Sequence, residues 1–209
     1  MKMNSQIKSL GKQAGYTLIE LSIAIAIISV LIMTALFGVQ KILENNNVNA
    51  TAQQVTLASS NINKYAVMLG DKAFAGLTTT TIPLGIWPDN LLVNTGTAAA
   101  PVYSKVSNPF GGEYINLNNA AGGYYVAITN VPISACLATV AAFGNTATAI
   151  ETDETAISAA TATATSKPTT PKAVKTFGAL KIDQAAMVTA CAPSAAGVTK
   201  KNVWVTYAL

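Results

Sequence analysis

The chain has 209 residues, of which 51% are hydrophobic and only 11% charged, against about 25% charged in an ordinary soluble domain. It holds no His, and all 13 basic residues are Lys, which removes Ser-His-Asp and Cys-His catalysis and imidazole metal sites. Two Cys cannot complete an all-cysteine zinc centre, so neither metal nor cofactor is expected. The net charge of +4 sits on scattered lysines with no Arg for bidentate phosphate contacts, and no nucleic-acid partner is expected.

The first element is the run from Leu21 to Gln40, which carries no charge and is bounded by Glu20 and Lys41. Between Leu21 and Val39 only Ser22, Ser29, Thr34 and Gly38 are not hydrophobic. Twenty helical residues span about 30 Å, the thickness of a bilayer's hydrocarbon core. Lys2, Lys8 and Lys12 precede the run, and no acidic residue comes before Glu20. That asymmetry keeps the N-terminus cytoplasmic and sends the rest across the membrane. Thr34-Ala35-Leu36-Phe37-Gly38 is a poor signal-peptidase site, so the segment is expected to be retained. A carboxylate in the first turn of such a helix is favoured by the dipole by about 0.3–1 kcal/mol, which alone would account for Glu20.

The dipole does not account for the residues just upstream. Gly15-Tyr16-Thr17-Leu18-Ile19-Glu20, after a basic leader and before a long apolar run, resembles the type IV prepilins residue by residue. The resemblance implies that a prepilin peptidase cuts after Gly15, that the new amine of Tyr16 is methylated, and that the hydrophobic segment stays. It also implies that the Tyr16 amine pairs with Glu20 of a neighbouring subunit, setting register as the filament grows. Two residues depart from the commonest pattern: Tyr16 stands where Phe is usual, and Phe37 lies where many pilins carry Pro, leaving Gly38 to supply any flexibility.

The helical period continues past Lys41. Val48, Ala52, Val55, Ala58, Ile62, Tyr65 and Leu69 form one apolar stripe, with Gly70 as a C-cap. Such a helix from Tyr16 to Leu69 would be about 80 Å long, with Asn45-Asn46-Asn47 as its weak point. Thr78–Thr81, Pro83, Trp87-Pro88-Asp89 and Asn94–Pro101 read as a loop-rich connection. Strands are expected at Tyr114–Leu117, Tyr124–Ile128, Val174–Leu180 and Val203–Tyr207. The fold class is therefore α+β: a long N-terminal helix, transmembrane in its first half, packed on a mainly antiparallel sheet. Trp87, Tyr124, Tyr125 and Trp204 would suit a carbohydrate platform, but core and sheet packing is the commoner use of such residues.

Cys136 and Cys191 are the only thiols and lie beyond the predicted membrane segment, where a disulfide is the default. Closing that loop would stabilise the fold by about 4 kcal/mol; free reactive thiols would more often show a Cys-x-x-Cys spacing. Asn108-Pro109-Phe110-Gly111, Tyr125-Val126-Ala127-Ile128, Cys136 and Cys191 resemble the type IVb pilins, the toxin-coregulated and conjugative thin-pilus group. Asn145–Pro171, rich in Ala and Thr, reads as an exposed irregular excursion. Glu151, Asp153 and Glu154 lack the ligand spacing of a calcium loop.

The expected organisation is a leader over 1–15 and a helix over 16–69, with the assembly segment at 21–40. A connection and first strands follow over 70–135, a disulfide-bounded region over 136–191, and a last strand within 192–209. The resemblance implies no enzyme but a structural subunit, the major pilin of a type IVb pilus. Its partners would be further copies of itself, the prepilin peptidase and methylase, the inner-membrane assembly machinery, the membrane before assembly, and a host or bacterial receptor. It would pass from the inner membrane as precursor to an extracellular pilus. A minor pilin or secretion pseudopilin is the alternative, followed by a membrane-anchored periplasmic enzyme or receptor.

Overall fold

The computed structural model describes residues 16–69, 82, 84–97, 100, 102–119, 122–157 and 171–208. The chain divides into two units, residues 1–42 and 43–209. Helix α1, Leu18–Leu69, begins in the first and ends in the second. It is helical through Gly38 and through Asn45-Asn46-Asn47, the expected weak point. Gly70, the expected cap, lies outside the described residues.

In the second unit a short 3-10 turn, Asp89–Leu91, leads into β1 (Leu92–Asn94) and β2 (Tyr103–Ser107). Then come β3 (Glu113–Asn118), β4 (Tyr124–Pro132), α2 (Ile133–Ala142), β5 (Ala149–Asp153) and β6 (Lys172–Lys175). Helix α3 (Gln184–Cys191) and β7 (Lys200–Tyr207) complete it. The seven strands form one sheet in the order β1-β2-β3-β4-β7-β5-β6, every pair antiparallel. The α+β expectation holds on these elements.

Alternation along the strands explains which face is covered. Tyr124, Val126 and Ile128 of β4 share a buried cluster with Val203, Val205 and Tyr207 of β7 and with Val55, Ala58 and Ile62 of α1. Each such aliphatic side chain, fully buried, contributes about 1.5–3 kcal/mol. Of the stripe read from the sequence, Val48, Val55, Ala58 and Ile62 are buried and Ala52 and Tyr65 pack half-buried against them, with Thr51 and Ala66 joining the buried face; the Leu69 side chain lies outside what is described. Polar ties fix its register: Tyr114 OH donates to Gln54 Oε1 at 2.7 Å, and Asn61 Nδ2 donates to the Ile86 carbonyl at 3.0 Å. Burial pushes the Tyr114 phenol above its ordinary value, so it serves as a protonated donor. The opposite face carries its own buried cluster of Ile115, Leu117, Ala127 and Trp204.

Several expectations are corrected. The strand expected at Val174–Leu180 ends at Lys175, because Thr176 to Ala179 form a turn with Gly178 at φ 86°. The Asn145–Pro171 stretch is not wholly an excursion: Ala149–Asp153 is β5, paired on both sides. Part of it, residues 158–170, lies outside the described residues. The loop-rich connection contains β1, and Ile86 and Trp87 within it are buried.

Candidate functional site

The N-terminal segment is built from Thr17 upward. Thr17 stands just outside α1, and its Oγ1 accepts the backbone N–H of Glu20 at 3.3 Å, while its carbonyl accepts from Leu21 at 3.1 Å. This satisfies donors that a helix start otherwise leaves open. The Thr-x-x-Glu spacing of Thr17 to Glu20 is the sequence mark of a capping box; sequence reasoning took Thr17 as part of a motif and missed this role. The same geometry sets Glu20 in the first turn, near the positive end of the dipole. Gly15 lies outside the described residues, and Tyr16 is 82% exposed.

Beyond Glu20 the helix is apolar on every side. None of the large apolar side chains from Leu18 to Leu43 is less than half exposed, and the helix is long and apolar enough to cross a membrane. Its three hydroxyls between Leu21 and Val39 need no outside partner. Ser22 Oγ donates to the Ile19 carbonyl at 2.8 Å and Ser29 Oγ to that of Ile25 at 2.7 Å. Thr34 Oγ1 donates to the Val30 and Leu31 carbonyls. A helix that returns its hydroxyls to its own backbone can sit in hydrocarbon or against like helices without leaving polar groups unmatched. Among the described residues the Glu20 carboxylate, exposed in the first turn, makes no such hydrogen bond to the helix.

In the second unit, Cys136 and Cys191 are joined as a disulfide with Cα atoms 5.7 Å apart. Both are buried and tie α2 to the last residue of α3. The loop from Asn108 is organised by one side chain. Asn108 Oδ1 accepts from the N–H groups of Phe110 at 2.9 Å and Gly112 at 3.0 Å, while its Nδ2 donates to the Glu113 carbonyl at 3.2 Å and that of Thr129 at 2.8 Å. A side chain at Gly112 would collide with the Thr129 carbonyl, so the Asn-Pro-Phe-Gly-Gly string holds the β2–β3 connection against β4.

The acidic residues do not converge. The Asp153 carboxylate accepts from Trp204 Nε1 at 2.7 Å and Asn202 Nδ2 at 3.0 Å, and burial pushes its pKa up despite those bonds. Glu154 turns instead to Lys201 Nζ at 2.7 Å and also accepts from the Ser194 hydroxyl and N–H. Among the described residues no three Asp, Glu, Cys or His groups are placed to hold a metal. Trp87, Tyr124 and Trp204 are at most 2% exposed, which makes them core residues rather than a surface platform. Lys175 is buried as well, its Nζ donating to the Gly144 carbonyl at 2.8 Å and that of Ala147 at 2.7 Å beyond the end of α2; no local sequence signal marks that role.

Residues 10–36 match the family model described as the prokaryotic N-terminal methylation motif. Over 140 residues the chain is 29% identical to the major structural subunit of bundle-forming pilus from Escherichia coli O127:H6 (strain E2348/69 / EPEC). That match covers 65% of this chain and 67% of the relative, and the protein of the same description from Escherichia coli O111:H- matches equally. Among solved structures, a type IV b pilin from Salmonella typhi is similar at a TM-score of 0.49 and 14% identity, covering 77% of this chain and 99% of that one. The resemblance carried by Gly15 to Glu20 therefore stands, and the chain is type IV pilin-like, similar to the major structural subunit of a bundle-forming pilus.

Proposed function

We propose that this chain is the major structural subunit of a type IVb pilus, made as an inner-membrane precursor and polymerised through α1 into an extracellular filament. The observation that carries the reading is the start of α1, which lies within the matched methylation motif: large apolar side chains exposed on every side, hydroxyls returned to the backbone, and one carboxylate in its first turn. A prepilin peptidase cuts after Gly15, removing Lys2, Lys8 and Lys12 and leaving ten Lys against nine acidic residues. The released amine of Tyr16, methylated, neutralises Glu20 of a neighbouring copy, because an unpaired charge among packed apolar helices is heavily penalised. The inner-membrane assembly machinery draws the subunit out of the bilayer. The filament then serves contact: adhesion to a host or bacterial receptor, aggregation, or mating.

The test is direct. Gly15→Val is expected to leave a full-length membrane precursor on immunoblot, whereas the parent protein gives a mature form whose mass places a methylated Tyr16 first. Glu20→Ala is expected to be trimmed normally yet to yield few or no filaments by electron microscopy of sheared cells. Normal trimming of Gly15→Val, or abundant filaments from Glu20→Ala, would overturn the mechanism.

A further inference from the structure

A cavity of about 180 Å³ lies where the end of β5 and the starts of β6 and β7 meet the loop after α3. Alternation along the strands decides which charges reach it. In β7, Val203 and Val205 belong to the cluster shared with α1, and Lys201 falls on their face, while Asn202 and Trp204 turn to the other. Asp153 stands opposite Asn202 in register, so Glu154, one residue further, reaches Lys201. Lys172 of β6 stands opposite Thr152, whose Oγ1 donates to the Ala190 carbonyl at 2.9 Å beside the same cavity.

The acceptors in this lining are largely engaged, and the donors are not. Glu154 accepts from Lys201 Nζ at 2.7 Å, from the Ser194 N–H at 3.0 Å and from the Ser194 hydroxyl. The Asp153 carboxylate is turned to Trp204 Nε1 at 2.7 Å, Asn202 Nδ2 at 3.0 Å and the Thr155 N–H at 2.8 Å. Lys201 is 2% exposed, and among the described residues its ammonium, with three N–H donors, has Glu154 as its one partner. The Lys172 ammonium makes no hydrogen bond or ion pair among the described residues. Buried donors left without acceptors are costly, so the group that completes this lining is an acceptor, and two ammonium groups on one cavity favour a charged one. Size bounds it as well. A water molecule takes up about 30 Å³ of liquid, so the cavity holds an ion of several water volumes and is smaller than the roughly 300–1,000 Å³ of drug-sized sites.

We propose that this cavity binds a small free oxyanion, phosphate or sulfate, between Lys201 and Lys172 with Ser194 beside it. The ion ties the loop after α3 to the starts of β6 and β7, so its occupancy raises the stability of the fold. The proposal concerns the second unit alone and does not depend on how α1 polymerises.

The full chain in a non-ionic detergent and Tris chloride would be titrated by calorimetry with sodium phosphate and with sodium sulfate at constant ionic strength, and its melting temperature followed. A Kd of about 1 mM or tighter is expected, with a rise in melting temperature of about 2–4 °C at about 20 mM ion over chloride alone. Lys172→Gln, whose exposed side chain leaves the fold intact, is expected to weaken binding about tenfold and remove the rise, whereas a general salting effect would persist in it. Glu154→Gln keeps an acceptor for Lys201 and removes a nearby negative charge, so it is expected to tighten binding at least about threefold. Phenyl phosphate, the same group on a larger body, is expected to bind about tenfold more weakly than phosphate. No rise over chloride, an equal rise in Lys172→Gln, no gain in Glu154→Gln, or phenyl phosphate binding as tightly as phosphate would each overturn the assignment.

Discussion

Removing the disulfide tests how the second unit is held together. Cys136 and Cys191 are 55 residues apart in sequence, and closing a loop of that length removes enough unfolded-state entropy to stabilise the fold by about 4 kcal/mol. That is a large share of the roughly 5–15 kcal/mol that a domain possesses. The perturbation is Cys136→Ala with Cys191→Ala, which avoids the buried hydroxyls that serines would introduce at two enclosed positions. The assay is urea unfolding followed by tryptophan fluorescence. Trp87 belongs to the cluster shared with α1 and Trp204 to the opposite face, both buried, so the signal covers both sides of the sheet. With a urea slope of about 2 kcal/mol/M, the midpoint should fall by about 2 M. Reducing the unsubstituted protein should reproduce the drop, which separates loss of the crosslink from any effect of the alanines. A shift below about 0.5 M in both experiments would refute the loop-entropy reasoning and show that α2 and α3 hold their places by packing alone.

Two further outcomes follow from burial and charge. Ile62→Ala, at a position 1% exposed, should cost about 2–5 kcal/mol. Leu57→Ala, 56% exposed on the same helix, should stay within about 0.5 kcal/mol by thermal melting. Lys201, with two bonds from Ser194, pulls the Glu154 carboxyl from 4.5 down to about 2. A folded-state value below the unfolded one means this contact stabilises fully above about pH 4.5 and is lost as pH falls toward 2. Asp153, shifted the opposite way by burial, contributes with the opposite sign. The effect is therefore read as a difference: the melting temperature of Lys201→Met should fall less between pH 4.5 and 2 than that of the parent protein.

What is legible in the sequence is local. Gly15 to Glu20 carries its chemistry in adjacent residues, and the stripe through Val48, Val55, Ala58 and Ile62 follows from helical period alone. β4 and β7 are marked by aromatic and β-branched alternation. β5 is hidden because Ala149 to Asp153 opens an Ala/Thr-rich stretch, and its acidic residues look solvent-bound until Asn202 and Trp204 arrive from β7 to meet Asp153. α2 escapes notice because Ile133 to Ala142 is apolar nearly throughout, without the alternation of faces that marks a half-buried helix. The buried roles of Lys175 and Lys201 rest on partners 28 or more residues away, and no local pattern encodes them.

The place of β7 governs the order of events during biogenesis. It pairs with β4 on one side and β5 on the other, so among the described strands the β1-to-β4 part of the sheet and the β5–β6 hairpin are joined in one sheet only through it. Yet it follows every other described strand along the chain. Until Lys200 to Tyr207 have been made and have paired, the two parts have open edges and no common sheet. Both cysteines precede that strand and are the only two in the sequence, so the crosslink can form early without a wrong intramolecular partner. Oxidation can thus hold α2 and α3 together before the strand that closes the sheet is in place.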